Sequence, residues 1–250
     1  MELAKYTASS RYHGFSERLT DEAAHAEKPF LLFSPHRVED VSKVKAEQKN
    51  GNDFFLHLQT NDNAGPRVIR CENKFESYAS GRLALEWVSV DRPLLKPGWM
   101  VTSKTAWLLS WFPTGDVIAL PMDELRALVL RHPGRHQSTT ALNRSYLSWS
   151  SLEDINYLVQ NIPHARALDL RYELGESPAA SSMLRGSSKQ KRCTTEELTQ
   201  LMRELPAQST PLELSNEQLI EMMRQLAPVN RKKAEPQHRQ RIQSLPWNLA

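Results

Sequence analysis

Apolar residues along this chain come in short runs, and their spacing switches between two periods. "DFFLHLQT" (Asp53 to Thr60) and "PRVIRCENKF" (Pro66 to Phe75) are rich in β-branched and aromatic residues. They predict two strands joined by the loop-forming "NDNAGP". "FLLF" (Phe30 to Phe33), closed by Ser34-Pro35, predicts a short buried strand, and "GRLALEWVSV" (Gly81 to Val90) and "DVIALP" predict two more. "SKTAWLLSWF" predicts a helical turn capped by Ser103 that ends extended. The helical period governs "GFSERLTDEAAHAEK", with Pro29 as its stop. It returns in "MDELRALVLRH", where Leu125, Leu128 and Val129 share a face, and in "SSLEDINYLVQNIP". The polar stretch "HRVEDVSKVKAEQKNGN" fits a helix or a loop.

The C-terminal part has a different texture. "ESPAASSMLRGSSKQKR" (Glu176 to Arg192) is Ser-rich and basic and predicts a mobile linker. Two helices follow, each announced by a capping box: Thr194 with Glu197, and Ser215 with Gln218. In such a box the hydroxyl accepts from an otherwise orphaned amide while the acid or amide side chain reaches back. Leu198, Leu201, Met202 and Leu205 fall on one face, as do Leu219, Met222, Met223 and Leu226. Neither face is satisfied alone, so each must dock on the core, on a second copy or on a partner.

Composition narrows the class. In 250 residues, 40% hydrophobic and 24% charged, there is room for one medium domain with an appendage or for two small ones. No apolar run approaches the length of a membrane span. "MELAKYTASSRYHG" lacks the apolar core of a secretion signal, so a cytoplasmic location is expected. Two cysteines, Cys71 and Cys193, are too few for a disulfide framework or a zinc cluster. The net charge is only +3, but basic residues gather late. Lys189, Lys191 and Arg192, then Arg231, Lys232 and Lys233, suit either a phosphate backbone or a solvated tail.

One constellation carries chemistry. Residues two apart on a strand share a face, so Glu72 and Lys74 point the same way while Ile69, Cys71, Asn73 and Phe75 point toward a core. Asp53 opens the preceding strand. If the strands pair, two carboxyl groups and an ammonium group meet at one end of a sheet. Two such acids repel unless one stays protonated or a cation lies between them. Magnesium accepts one or two carboxylates together with water and substrate phosphate. That set suits in-line attack of water on a phosphodiester. The same residues, with Arg70, also suit ordinary cross-strand pairing on a solvent face. Glu47-Gln48-Lys49 repeats the spacing in a polar run with no strand. Glu86, between Leu85 and Trp87, reads as a further acid or a solvent-facing charge. The tryptophans Trp87, Trp99, Trp107 and Trp111 read as core.

Asp53 followed by Glu72-Asn73-Lys74 at hairpin distance resembles the PD-(D/E)xK nuclease superfamily, with Asn52 where that family has proline. "GFSERL" is similar to the Gly-x-x-x-Glu-Arg opening of resolvase-type members, which makes Glu17, or else Glu22, the first-helix glutamate. Gly81, Glu86, Gly98-Trp99 and Ser103-Lys104-x-Ala106 resemble nuclease-like proteins of phages and mobile elements. The resemblance covers roughly residues 12 to 130. It implies that Asp53, Glu72 and the Asn73 carbonyl hold Mg2+ or Mn2+, that Lys74 orients water and steadies charge, and that Glu17 assists. Lys104 becomes an extra phosphate contact.

The expected fold is thus α+β (α/β), a restriction endonuclease-like core with a mixed central sheet flanked by helices. The expected partition is a core over 1–135, a helical extension over 136–175, a basic linker over 176–193 and a helical module over 194–250. The expected activity is metal-dependent hydrolysis of DNA in phage, mobile-element or defence processing. The rival is a nuclease-fold protein without catalysis, serving as a nucleic-acid-binding or assembly component. Either admits a protein partner or a homodimer through the C-terminal helices, and neither involves a membrane.

Overall fold

The structure, a computed structural model, describes residues 28–59, 65–76, 81–91, 94–132, 137–142, 147–173 and 182–226. Glu17, Glu22, Arg231, Lys232 and Lys233 lie outside the described residues. In chain order the strands are β1 (Arg37–Asp40), β2 (Phe54–Leu58), β3 (Arg67–Phe75), β4 (Arg82–Asp91), β5 (Leu94–Pro97), β6 (Trp107–Trp111), β7 (Asp116–Pro121), β8 (Gln137–Leu142), β9 (Leu147–Asp154) and β10 (Arg166–Asp169). The architecture is mixed α+β, with a mixed central sheet and helices beside it. Among the described residues no helix is long and apolar enough to cross a membrane.

The chain divides into two compact units that do not follow the sequential partition expected from texture. One comprises Met1–Leu83, Ser103–Leu125 and Asp154–Thr210; the other comprises Ala84–Thr102, Arg126–Glu153 and Pro211–Ala250. The first holds a six-stranded sheet in the order β1-β2-β3-β6-β7-β10. β3 and β6 run parallel; every other neighbour pair is antiparallel. β1 to β3 form a meander, so Asp53 ends the loop that enters β2 and Glu72 lies within β3.

One face of this sheet builds a core. Phe54, Leu56, Leu58, Ile69, Cys71, Trp107, Leu109, Trp111, Val117, Ala119 and Leu168 all point into it. These are alternate residues of their strands, as the pleat requires. Leu198 and Met202 of the helix Thr195–Glu204 pack against them. The first C-terminal helix therefore docks on the core, and its capping box forms as expected. Its partner, Asn216–Leu226, belongs to the second unit, where Leu219 and Met222 are buried and Ser215 and Gln218 complete the second box.

Several sequence expectations change. Phe30–Phe33 is not a strand; Lys28–Leu32 is a helix. Pro29 sits in its first turn, where a missing N–H costs nothing and the fixed φ suits a helix. Burial of Leu32 and Phe33 beside exposed Phe30 and Leu31 is a helical pattern. The ambiguous polar stretch is β1 followed by the helix Lys45–Lys49, so the second Glu-x-Lys has no strand face. Residues 136–175 are not simply helical, since β8, β9 and β10 fall there around the helix Ile155–Asn161.

The segment read as a mobile linker is packed over Ser182–Cys193. It includes a 3-10 helix, Gly186–Lys191, and Ser182 and the Met183 amide both donate to buried Asp116. Arg192 pairs with Asp116 at 2.7 Å and Asp169 at 3.4 Å, and Lys191 Nζ donates to the Pro163 carbonyl at 2.6 Å. Basic residues that look free in sequence are thus claimed by internal acceptors. Lys189 stays exposed.

Candidate active site

The site begins with β2–β3 pairing. Phe54 pairs with Cys71 and Phe55 with Arg70. Asp53 lies just outside that register: its amide donates to the Cys71 carbonyl at 2.9 Å, which holds it against β3 beside Glu72. Residues 70, 72 and 74 share the face opposite the core just described, because Ile69 and Cys71 are committed to that core. Asp53, Glu72 and Lys74 are thereby brought to one place.

Contacts confirm the convergence. Lys74 Nζ lies 2.5 Å from Glu72 Oε1. Asp53 Oδ2 accepts from the Asn73 amide at 2.8 Å. The Asn73 side chain points away and accepts from Trp111 Nε1 at 3.0 Å, while Phe75 stacks on the same indole. β3 is thus anchored on the core side by its odd-numbered residues and presents the even-numbered ones on the opposite face.

Glu72 is only 6% exposed, and its environment is hard on a charge. Burial pushes its carboxyl up to about 7; Lys74 pulls it back, and Asp53 pushes it further up. Burial also raises Asp53, against the opposing pull of Lys74 and the Asn73 amide, with Asp40 adding repulsion. Even with an ammonium group in contact, the pair is short of positive charge. Cys71, beneath it, has its thiol pushed far up by burial and by Asp53, which makes it inert.

The donor set suits a hard divalent cation in kind: two carboxylates, Asp53 raising Glu72 by repulsion, undercompensated by one lysine. Among the described residues no group of three or more His, Cys, Asp or Glu side chains is arranged to hold a metal. An ion here would rely on the two acids, main-chain oxygen and water.

The loop before Asp53 was not legible as part of the site. Asn52 is fully buried. Its Nδ2 donates to Glu47 at 2.7 Å and its Oδ1 accepts from Thr105 Oγ1 at 2.9 Å. Gly51 has φ +70° and lies so close to Ser103 that an added Cβ would sit 2.5 Å from Oγ and 3.3 Å from Glu72 Oε2. Ser103 does not cap a following helix: Trp99–Thr102 precedes it, and its Oγ accepts from the Thr105 amide and donates to the Asn50 carbonyl. Lys104 is exposed, its amide bound to Asn50. The only sequence signal for this cluster is the turn-forming Asn50-Gly51-Asn52 run.

Other candidates have partners or surroundings of their own. Glu86 lies in the second unit and accepts from Ser89 and Ser148. Trp87 and Trp107 are fully buried core residues. No protein-family model, curated protein or solved structure matches this chain.

Proposed function

We propose that this protein is a magnesium- or manganese-dependent nuclease that hydrolyses DNA phosphodiester bonds. The observation that carries the reading is Asp53 held against β3 by the Cys71 carbonyl and the Asn73 amide, beside Glu72, with Lys74 on the face of Glu72 and 2.5 Å from it. The order β1, Asp53, β2, then Glu-x-Lys on β3 is also the order that the PD-(D/E)xK resemblance implies, and the restriction endonuclease-like core is proposed on that ground. Phage, mobile-element or defence DNA is the substrate setting that the resemblance suggests.

Asp53, Glu72 and the Asn73 carbonyl would hold the ion. When bound, it supplies positive charge to the phosphate and lowers the pKa of a water molecule. Lys74 donates to Glu72 Oε1 and shares its face, so its ammonium group would orient water and steady charge on a non-bridging phosphate oxygen. Asp53 is oriented by the Asn73 amide, so its second oxygen is the one available for binding. In the overall step a water oxygen bonds to phosphorus, the phosphorus–ester oxygen bond breaks, and a proton ends on the leaving oxygen. Exposed Lys104 and Lys189 are proposed as phosphate contacts. Arg192 is committed to Asp116, and Lys191 to Pro163, so a phosphate role for either requires breaking those contacts.

The Lys74–Glu72 ion pair also favours a second reading: a binding or assembly protein in which the lysine permanently replaces a cation. Incubation with labelled duplex and single-stranded DNA in Mg2+ separates the two. The nuclease reading expects cleavage by wild type, abolished by chelator, by Lys74→Ala and by Asp53→Asn. DNA retention without cleavage selects the second reading. Undiminished cleavage in either variant or in chelator defeats the first.

A further inference from the structure

The segment Ser103–Thr105 has no side chain among the proposed metal ligands, yet it binds every residue of the loop that delivers Asp53. The Asn50 carbonyl accepts from the Lys104 amide at 2.7 Å and from Ser103 Oγ at 3.2 Å. The Gly51 carbonyl accepts from Thr105 Oγ1. Asn52 Oδ1 lies 2.9 Å from the same hydroxyl, so one hydrogen is shared between two acceptors. The segment then enters β6, the parallel neighbour of β3, with the Ala106 amide donating to the Arg70 carbonyl. A single turn therefore ties the loop carrying Asp53 to the strand that pairs with Glu72's strand.

Thr105 and Asn52 are both fully buried. A buried hydroxyl is costly unless it is used. Its acceptors here are not a regular ladder but the two residues that precede Asp53. Asn52 is braced from the other side by Glu47, through Nδ2 at 2.7 Å and a main-chain bond to the Glu47 carbonyl at 2.9 Å. A proline before Asp53 would fix the backbone through its ring; this chain fixes it through a hydroxyl and an amide.

We propose that Thr105, acting through Gly51 and Asn52, is a positioning residue that holds the Asp53 carboxylate on the Asn73 amide, beside Glu72, in the geometry a divalent ion requires. The proposal deepens the metal-site reading and rests on it. Groups that orient metal ligands influence affinity strongly although they do not touch the ion. Thr105→Val keeps the shape and removes the donor; Thr105→Ser keeps the donor.

Two measurements on the full chain test this. In the metal-free protein, Thr105→Val should speed hydrogen exchange of the Asn73 amide about tenfold, because its acceptor Asp53 Oδ2 moves away. Amides in the β3–β6 ladder should be unchanged, and Thr105→Ser should restore the Asn73 protection. In Mn2+ titration, Thr105→Val should weaken binding by about tenfold or more, with Thr105→Ser close to wild type. If Thr105→Val does not fold, Asn52→Ala takes its place, with the same two results expected. Wild-type protection and wild-type affinity in the folded variant overturn the proposal, as does a uniform loss of protection across the sheet. Absence of Mn2+ binding in wild type would defeat the metal-site reading instead, leaving the Asn73 amide to judge the positioning claim alone.

Discussion

Glu72→Gln should stabilise the metal-free protein, and the gain should depend on pH in a defined way. The carboxyl ordinarily loses its proton near 4.5 and does so near 7 in the fold. Each tenfold change in proton affinity is worth about 1.4 kcal/mol, so holding Glu72 ionised in the fold costs about 3 kcal/mol. Between those two values the folded state retains a proton that the unfolded chain has released, so raising the pH favours unfolding. Stability linked to Glu72 is fully present below about 4.5 and is lost as pH rises through about 7. Glutamine keeps the shape of the neutral acid and has nothing to lose. Urea unfolding in chelator at several pH values from 4.5 to 8.5 is the assay, with equal m-values required for comparison. The two proteins should be nearly equally stable at the acid end, and the variant should lead by about 3 kcal/mol at the alkaline end. A gap that does not change with pH, or a variant less stable at pH 8.5, would refute the account of Glu72 as an undercompensated buried charge.

Two further outcomes follow from the first unit. Arg192→Ala should destabilise the fold by about 1–3 kcal/mol in the same assay, since it strips a buried aspartate of its cation, whereas Lys189→Ala should change stability by less than about 0.5 kcal/mol. Cys71 should resist thiol reagents at pH 8 until the protein unfolds, because burial denies it both access and thiolate; rapid labelling of native protein would contradict its placement under the acid pair.

The β2–β3 meander and the shared face of Glu72 and Lys74 were legible because a strand's two-residue period fixes which side chains travel together. Asp53 was legible as the residue that opens β2. What could not be read were relations set by distant chain. Nothing local to Thr105 says that its hydroxyl reaches Asn52, since that contact spans more than fifty residues and depends on the parallel β3–β6 pairing. Nothing local to "SSKQKR" says that Arg192 meets Asp116; the basic, Ser-rich texture favours solvent until a buried carboxylate recruits it. Pro29 shows a subtler limit. A proline both ends and begins helices, and the choice rested on whether Phe30 to Phe33 would bury alternate residues or one helical stripe. Only the packed core decides that.

The central claim is that Asp53 and Glu72 form one cation site whose negative charge Lys74 alone does not offset. Calorimetric titration of the full chain with Mn2+ at pH 7.5 tests it most directly. A single site is expected in wild type, weakening as pH falls below 7 because Glu72 must first release its proton, and absent from Glu72→Gln and Asp53→Asn. An isotherm unchanged by either substitution, or wild type that takes up no manganese, would contradict it.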